Sequence, residues 1–448
     1  MFSTLSPLDN RYSHQVQSVA NYFSYENWIK YRVRVELLYF DCLCDIPSLN
    51  INGNILRQTF LKSAFNINVN EICKIEKETL HDIKAIEIYL RNEYDRLSIG
   101  PPQYKEFIHF GLTSQDINSV AFSLQLKECI ECVLIPKYSS IITILQHKSY
   151  EWYNIIIMAM THGQPAIPTT LGKEIKVFIE RLSYCLEKLK KFTYHTKLGG
   201  AVGTLAAHYK TYPNIDWVEK MDTLCRGIGL KRWNNTTQIT NYEDIIEVSQ
   251  IIIRLNNILM DLSQDVWLYI SNTVFILKKE TATQVGSSTM PQKVNPINFE
   301  NAEGNLRIAN AGLNMIVGKL PISRLQRDLT DSTILRNYGV YLGHTMVSLH
   351  NIEKGLCKLE PDTISIQNQL DAHPEIMAES VQCIFRKHGI PNGYDIVRLA
   401  TQTYKFTNLQ QFKEKMIDGI SNTEAIKEIM ALDFENYLGN IAQSVLPS

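Results

Sequence analysis

Between Tyr242 and Val285 the chain contains neither glycine nor proline. Apolar residues recur there at Ile245, Val248, Ile252, Leu255, Leu259, Leu262, Val266 and Tyr269, alternating spacings of three and four. That rhythm keeps one stripe facing one way for roughly seven turns, the pattern of a long bundle helix. Ile251, Ile258 and Trp267 lie off the stripe. They imply contact on more than one side, and one chain rarely buries such a helix all round. Association of subunits is therefore expected.

Other stretches share the rhythm. Ile175, Ile179, Leu182, Leu186 and Leu189 mark a helix starting near Thr170. A further helix is expected from Ser114 to Leu134, stopped by Pro136, with two more over Asn298–Val317 and Ser332–Leu356. Little of the sequence alternates with the period of a strand, and short strands are expected at most in loops such as Gly200–His208. The class is mostly α, built on an elongated bundle. Proline-marked breaks at Ser98–Tyr104 and Lys358–Ser365 divide the chain into a helical region 1–104, a long-helix region 105–357 and a C-terminal helical region 358–448.

The bulk properties exclude several functions. With 448 residues and a formal net charge of -1, the chain has room for a large core but no global field for nucleic acid or an acidic membrane. An anionic ligand would need locally placed cations. The start, Met1–Gln15, lacks the basic-then-apolar pattern of a secretory leader, and the apolar run Ile155–Met160 is too short to span a bilayer. Nine cysteines, an odd number without a framework pattern, read as free thiols in a reducing cytoplasm. Cys129 and Cys132 form a CxxC within a helical run with no second pair, so core packing is expected and no metal.

Polar islands interrupt the helices. His81 and Asp82 open one helical pattern. His109 precedes Thr113 and Ser114, and Thr113–Asp116 fits a capping box whose free amides also suit a phosphate or carboxylate. In "THGQPAIPTT" (Thr161–Thr170), His162 sits beside a glycine in a segment stiffened by two prolines, and histidine exchanges protons readily near neutral pH. "GSSTMPQKVNP" (Gly286–Pro296) sets Ser287 and Ser288 behind a glycine, with Lys293 and Asn295 held between prolines. Such a group can fold over a carboxylate and stabilise negative charge as it builds. Arg324, Arg327 and Arg336 with Ser332 and Thr333 suit a phosphate or carboxylate too, unless Asp328 and Asp331 engage them in an ion-pair network. No HExxH, Walker or Rossmann pattern occurs. The combination points to proton transfer on a polyanionic substrate.

"GSSTMPQKVNP" resembles the signature of the fumarase/aspartase superfamily, whose members eliminate fumarate from succinyl compounds. "TSQDIN" (Thr113–Asn118) and "THGQPA" (Thr161–Ala166) are similar to its other two shared segments, in the expected order. "LHDIKA" (Leu80–Ala85) and "DLTDSTILRN" (Asp328–Asn337) look most like the adenylosuccinate-cleaving branch, long bacterial type, rather than the argininosuccinate-cleaving one. The resemblance runs from Ser6 to near the C-terminus. It implies a three-domain fold around a central long-helix bundle, assembled into a homotetramer whose helices form a common core and whose sites are shared between subunits. It implies no cofactor, and the substrates adenylosuccinate and SAICAR.

Roles follow from the same resemblance. Ser287 is the base, on a segment (284–297) that closes over the substrate, and His162 is the acid. Lys293 and Asn295 stabilise the doubly charged carboxylate, with Ser288 beside them. His81, of catalytic importance, and Asp82 place the nucleotide, with His109 nearby. Thr113, Ser114 and Gln238 hold the succinyl or base portion; Arg11, Tyr12, Arg327, Ser332, Thr333 and Arg336 hold the phosphate. Leu80, Thr204, Ala206 and Gln292 depart from the pattern, in that Leu80, Thr204 and Ala206 stand where asparagine is common and Gln292 where histidine is.

Overall fold

The computed structural model describes residues 4–49, 51, 67–278, 290 and 292–441. It is mostly helical. The α-helices are α1 (Ser13–Phe23), α2 (Tyr25–Cys44), α3 (Val69–Thr79), α4 (Asp82–Arg96), α5 (Ser114–Cys129), α6 (Ile135–Glu151), α7 (Leu171–Lys190), α8 (Ala206–Thr211), α9 (Trp217–Gly227), α10 (Glu243–Ser271), α11 (Ile297–Lys319), α12 (Thr330–Leu335) and α13 (Tyr338–Lys358), followed by α14–α18 between Thr363 and Met430. The chain divides into two compact units. The first comprises 1–138, 185–257 and 304–350; the second comprises 139–184, 258–303 and 351–448.

The stripe along α10 is buried as its spacing requires. Val248, Ile252, Leu255 and Leu259 have no exposed surface, and Ile251 and Ile258 are buried as well. Trp267, the third off-stripe residue, is 44 % exposed and its neighbour Leu268 is 51 % exposed, and both remain for an external partner. The core of the first unit is not wholly apolar. Asn256 on α10 donates to Asn310 Oδ1 (3.0 Å) and Thr345 Oγ1 (3.2 Å) and accepts from the Tyr138 hydroxyl at 2.9 Å. A polar layer satisfied on every side fixes how helices register, because any slip strands a buried donor or acceptor.

Two helix boundaries differ from expectation. Pro136 does not stop the helix begun at Ser114. Ile130–Leu134 form a π turn, the Ile135 N–H donating to the Ile130 carbonyl, and α6 continues through the proline. The wider turn carries the ring past the carbonyl it would strike in an α-helix, and proline has no amide to leave unpaired. The stretch Ser332–Leu356 is likewise two helices, α12 and α13, with Arg336 and Asn337 between them.

Strands are few and short. In the second unit, β1 (Ile156–Thr161) and β2 (Gln164–Thr170) form an antiparallel hairpin with an irregularity between Met158 and Met160. β5 (Phe275–Leu277) pairs with β6 (Leu359–Pro361) in the same unit. In the first, β3 (His195–Thr196) lies parallel to β4 (Lys231–Arg232). Gly200–His208 holds no strand; it is a glycine turn leading into α8.

Candidate active site

In the first unit the polar islands meet. His81 caps α4, its Nδ1 accepting the Lys84 N–H at 3.1 Å. A nitrogen that accepts carries no proton, so the neutral ring bears it on Nε2, which lies 3.4 Å from Ser114 Oγ. Leu80, just before it, takes the left-handed conformation (φ 54°) that ends α3 and is 88 % exposed. Leucine is strained in that region and asparagine tolerates it, so this departure changes local strain rather than a contact.

Asp82 lies between two arginines, 3.1 Å from Arg32 and 3.7 Å from Arg336. Arg32 was not singled out in the sequence. It is 4 % exposed, stacks over the Trp28 ring at 5.0 Å, and leaves Nε unpaired. Burial lowers its pKa, while the charge of Asp82 acts the other way. Arg32 and Asn118 line a cavity of about 20 Å³, room for one water. Glu36 was missed too. It is buried and meets His109 Nδ1 at 2.6 Å. Burial alone would lower the His109 pKa, but the hydrogen bond and charge of Glu36 outweigh it and the net shift is upward. A signal for both was present. Ile29, Arg32, Val33, Glu36, Leu37 and Phe40 share one helical stripe, so two charges occupy core positions of α2.

The capping box is present: Thr113 N–H donates to Asp116 Oδ2 at 2.8 Å, opening α5 at Ser114. Gln238 accepts from an Arg327 Nη at 3.2 Å. Asp331 does not join the expected arginine network. It is buried, and its carboxylate takes the Tyr242 hydroxyl (2.5 Å) and the Gln115 amide (3.1 Å). Only Asp328 keeps an arginine among those expected, Arg324 at 3.7 Å. Ser332 is half-buried, Thr333 and Arg336 are exposed. Arg11 is exposed over the Tyr12 ring at 5.9 Å, and Tyr12 packs on Leu8, Val16 and Val347. Thr204 and Ala206 face outward.

The second unit carries the remaining described candidates. His162 and Gly163 are the two central residues of the β1–β2 turn, both with positive φ (52° and 70°), where Thr161 pairs with Gln164. Those angles define a type I′ turn, the tight hairpin that matches strand twist. His162 thus stands exposed at a stiff tip. Gln292 and Lys293 are exposed and Asn295 is half-buried, with the Lys293 N–H donating to the Met290 carbonyl at 3.1 Å. Gly286, Ser287 and Ser288 lie outside the described residues. Among the described residues no cluster of histidine, cysteine, aspartate and glutamate is arranged for a metal, and no helix is long and apolar enough to cross a membrane.

Residues 56–309 match the family described as "Lyase", and residues 323–438 match "Adenylosuccinate lyase C-terminal". The chain is 42 % identical over 452 residues to the adenylosuccinate lyase of Dictyostelium discoideum, covering 98 % of this chain and 97 % of the relative. It is 35 % identical over 447 residues to the adenylosuccinate lyase of Escherichia coli K12, covering 98 % and 96 %. In architecture it is similar to a fumarate lyase from Mesorhizobium sp. BNC1, with a TM-score of 0.76 over 96 % of each chain at 18 % identity.

Proposed function

Since this chain belongs to the adenylosuccinate lyase family of the fumarase/aspartase superfamily, we propose that it eliminates fumarate from adenylosuccinate to leave AMP, and from SAICAR to leave AICAR, with Ser287 as base and His162 as acid. It is a carbon–nitrogen lyase of purine nucleotide biosynthesis. The base takes the proton from the carbon next to a carboxylate, and the electron pair left behind spreads onto that carboxylate. Lys293 and Asn295 stabilise the doubly charged group. The carbon–nitrogen bond then breaks as the pair returns to form the double bond, and His162 protonates the departing nitrogen.

The observation that supports this best is how the first unit holds its cations. Arg327 is engaged by a neutral amide, Gln238, and Arg336 stands 3.7 Å from an Asp82 already claimed by Arg32. Both guanidinium groups keep charge to offer a phosphate, beside His81, whose Nε2, now 3.4 Å from Ser114 Oγ, can donate to the base or ribose. Thr333 and Ser332 add hydroxyls, and Arg11 with Tyr12 completes the phosphate-binding group. The expected tetramer, with sites shared between subunits, is supported by apolar side chains left exposed on long helices, Trp267 and Leu268 on α10 and Ile308 and Met315 on α11. A cytoplasmic location is supported by cysteines that are all free thiols.

Fumarate release from purified protein, followed beside the His162→Asn variant, tests the reading. Asparagine followed by glycine is a preferred pair for a type I′ turn, so the hairpin survives while the proton donor is lost. Turnover is expected to fall about 10²- to 10⁴-fold with unchanged thermal unfolding. Fumarate from argininosuccinate alone, or full activity in the variant, would overturn the substrate or the acid respectively.

A further inference from the structure

The turn from Lys197 to Gly203 has no part in the chemistry above, yet buried polar contacts tie it to its neighbours on both sides. Lys197 and Asp116 have no exposed side-chain surface and stand 2.6 Å apart, and the ammonium also donates to the Gly200 carbonyl at 2.5 Å. Asp116 Oδ1 accepts the N–H groups of Gly199 (2.8 Å) and Gly200 (3.2 Å), and Oδ2 accepts that of Thr113 (2.8 Å). One carboxylate therefore binds the turn to the start of α5, where Thr113 and Ser114 stand.

The far side of the turn reaches the other anion-binding segment. Gly203 has φ +83°, and a Cβ there would fall 2.1 Å from the Thr236 carbonyl oxygen. Thr236 lies two residues before Gln238, the partner of Arg327. Leu205 N–H closes the turn onto the Gly199 carbonyl at 2.8 Å. The His208 ring fills the space beside Gly111, where a Cβ would lie 2.6 Å from it. Burial lowers the Lys197 pKa against the opposing charge of Asp116, and the charge of Arg327 lowers it further, so the two cations feel each other.

A buried ion pair is a weak source of stability, and an apolar pair of similar volume often serves the fold as well. This pair ends instead on backbone groups of the glycine turn and of Thr113, which is assigned to the substrate. We propose that Lys197 and Asp116 are positioning residues for the substrate's anionic groups: Lys197 holds the Asp116 carboxylate in place, and Asp116 sets Thr113, Ser114 and the glycine turn in register with Gln238 and Arg327. The proposal rests on the site as read above. Neither residue touches substrate.

The test compares wild type with Lys197→Met and the double variant Lys197→Met/Asp116→Asn. The single variant leaves a carboxylate buried without its partner and is expected to lose thermal stability; the double variant, free of both charges, regains most of it. If the pair positions the site, the double variant still binds AMP at least about tenfold more weakly in calorimetry and shows KM for adenylosuccinate raised about as much, with kcat within about threefold. Wild-type KM and AMP affinity in the double variant would overturn the proposal. Should it not fold, Lys197→Gln, which keeps a donor but no charge, carries the same expectation. A wild-type chain that releases no fumarate would overturn the reading of the site instead. The amides of Thr113, Gly199 and Gly200, expected to exchange hydrogen at least about tenfold faster in the variant, would still decide the positioning claim. Unchanged exchange at those amides sinks it.

Discussion

Two histidines of the first unit, His109 and His208, are shifted in opposite directions by what surrounds them. His109 meets a buried carboxylate, Glu36, and its pKa rises. His208 is fully buried among Tyr39, Phe110 and Trp217, and burial pushes its pKa down to about 4. Its Nε2 lies 2.9 Å from the Tyr39 oxygen, whose proton goes to the Phe110 carbonyl at 2.6 Å, so Nε2 carries the hydrogen. The fold binds neutral His208, while the unfolded chain protonates it near 6.5. Stability from this group is therefore complete above about pH 6.5 and lost as pH falls towards 4, a change of roughly 3 kcal/mol. Urea unfolding between pH 4 and 7 is expected to show a steeper acid loss for wild type than for His208→Gln; equal slopes would remove His208 as the cause. The sequence displayed the histidines of the islands because glycine, proline and hydroxyl residues surround them. It concealed Arg32, Glu36 and Lys197 because their partners, Asp82, His109 and Asp116, lie far along the chain.

At the level of elements, whatever depends on apolar period was legible and whatever depends on local backbone geometry was not. The α10 stripe lies where its spacing put it. The β1–β2 hairpin escaped notice because Ile155–Met160 is a continuous apolar run with no alternation, and because Pro165 and Pro168 read as loop. A two-stranded ribbon has two edges, and proline is tolerated at an edge. Periodicity also says nothing of the polar layer inside the bundle. Asn256→Leu keeps the branched shape and the number of side-chain heavy atoms but strands the Tyr138 hydroxyl, Asn310 and Thr345. A loss of about 2 to 4 kcal/mol in urea unfolding is expected, larger than an exposed Asn→Leu change on any helix. A neutral result would mean that the layer is satisfied by other means.

For the molecule as a whole, the balance of charge and burial favours association through long helices. Trp267 and Leu268 remain 44 % and 51 % exposed on a helix whose other apolar residues are buried or half-buried, and the Trp267 indole N–H reaches Glu300 at 3.2 Å. Exposed aromatic and aliphatic groups of this kind mark partner surfaces. If each site draws Ser287 and His162 from different subunits, mixing inactive Ser287→Ala and His162→Asn proteins under exchange of subunits restores part of the activity. Mixtures that stay inactive, although native mass spectrometry of an isotope-labelled variant with an unlabelled one shows that subunits have exchanged, would confine the site to one chain. Fold class and reaction were legible because the shared segments are short, polar and unusual in composition. Their spatial grouping was not, since chain spacing carries no distance between Asp82 and Arg336 or between Gln238 and Arg327.

The π turn at Ile130–Leu134 has a consequence for how this helix tolerates change in length. A π turn holds one residue more than the α-helical turn it replaces, while the faces before and after it keep their directions. Removing one residue there, together with Pro136→Ala, would return the stretch to a continuous α-helix with Ile117 and Tyr138 still facing inward. Removing one residue elsewhere in α5 or α6 would rotate everything beyond it by about 100°. The turn is thus a place where chain length and side-chain direction are uncoupled, and insertions or deletions between relatives would be expected to collect at it.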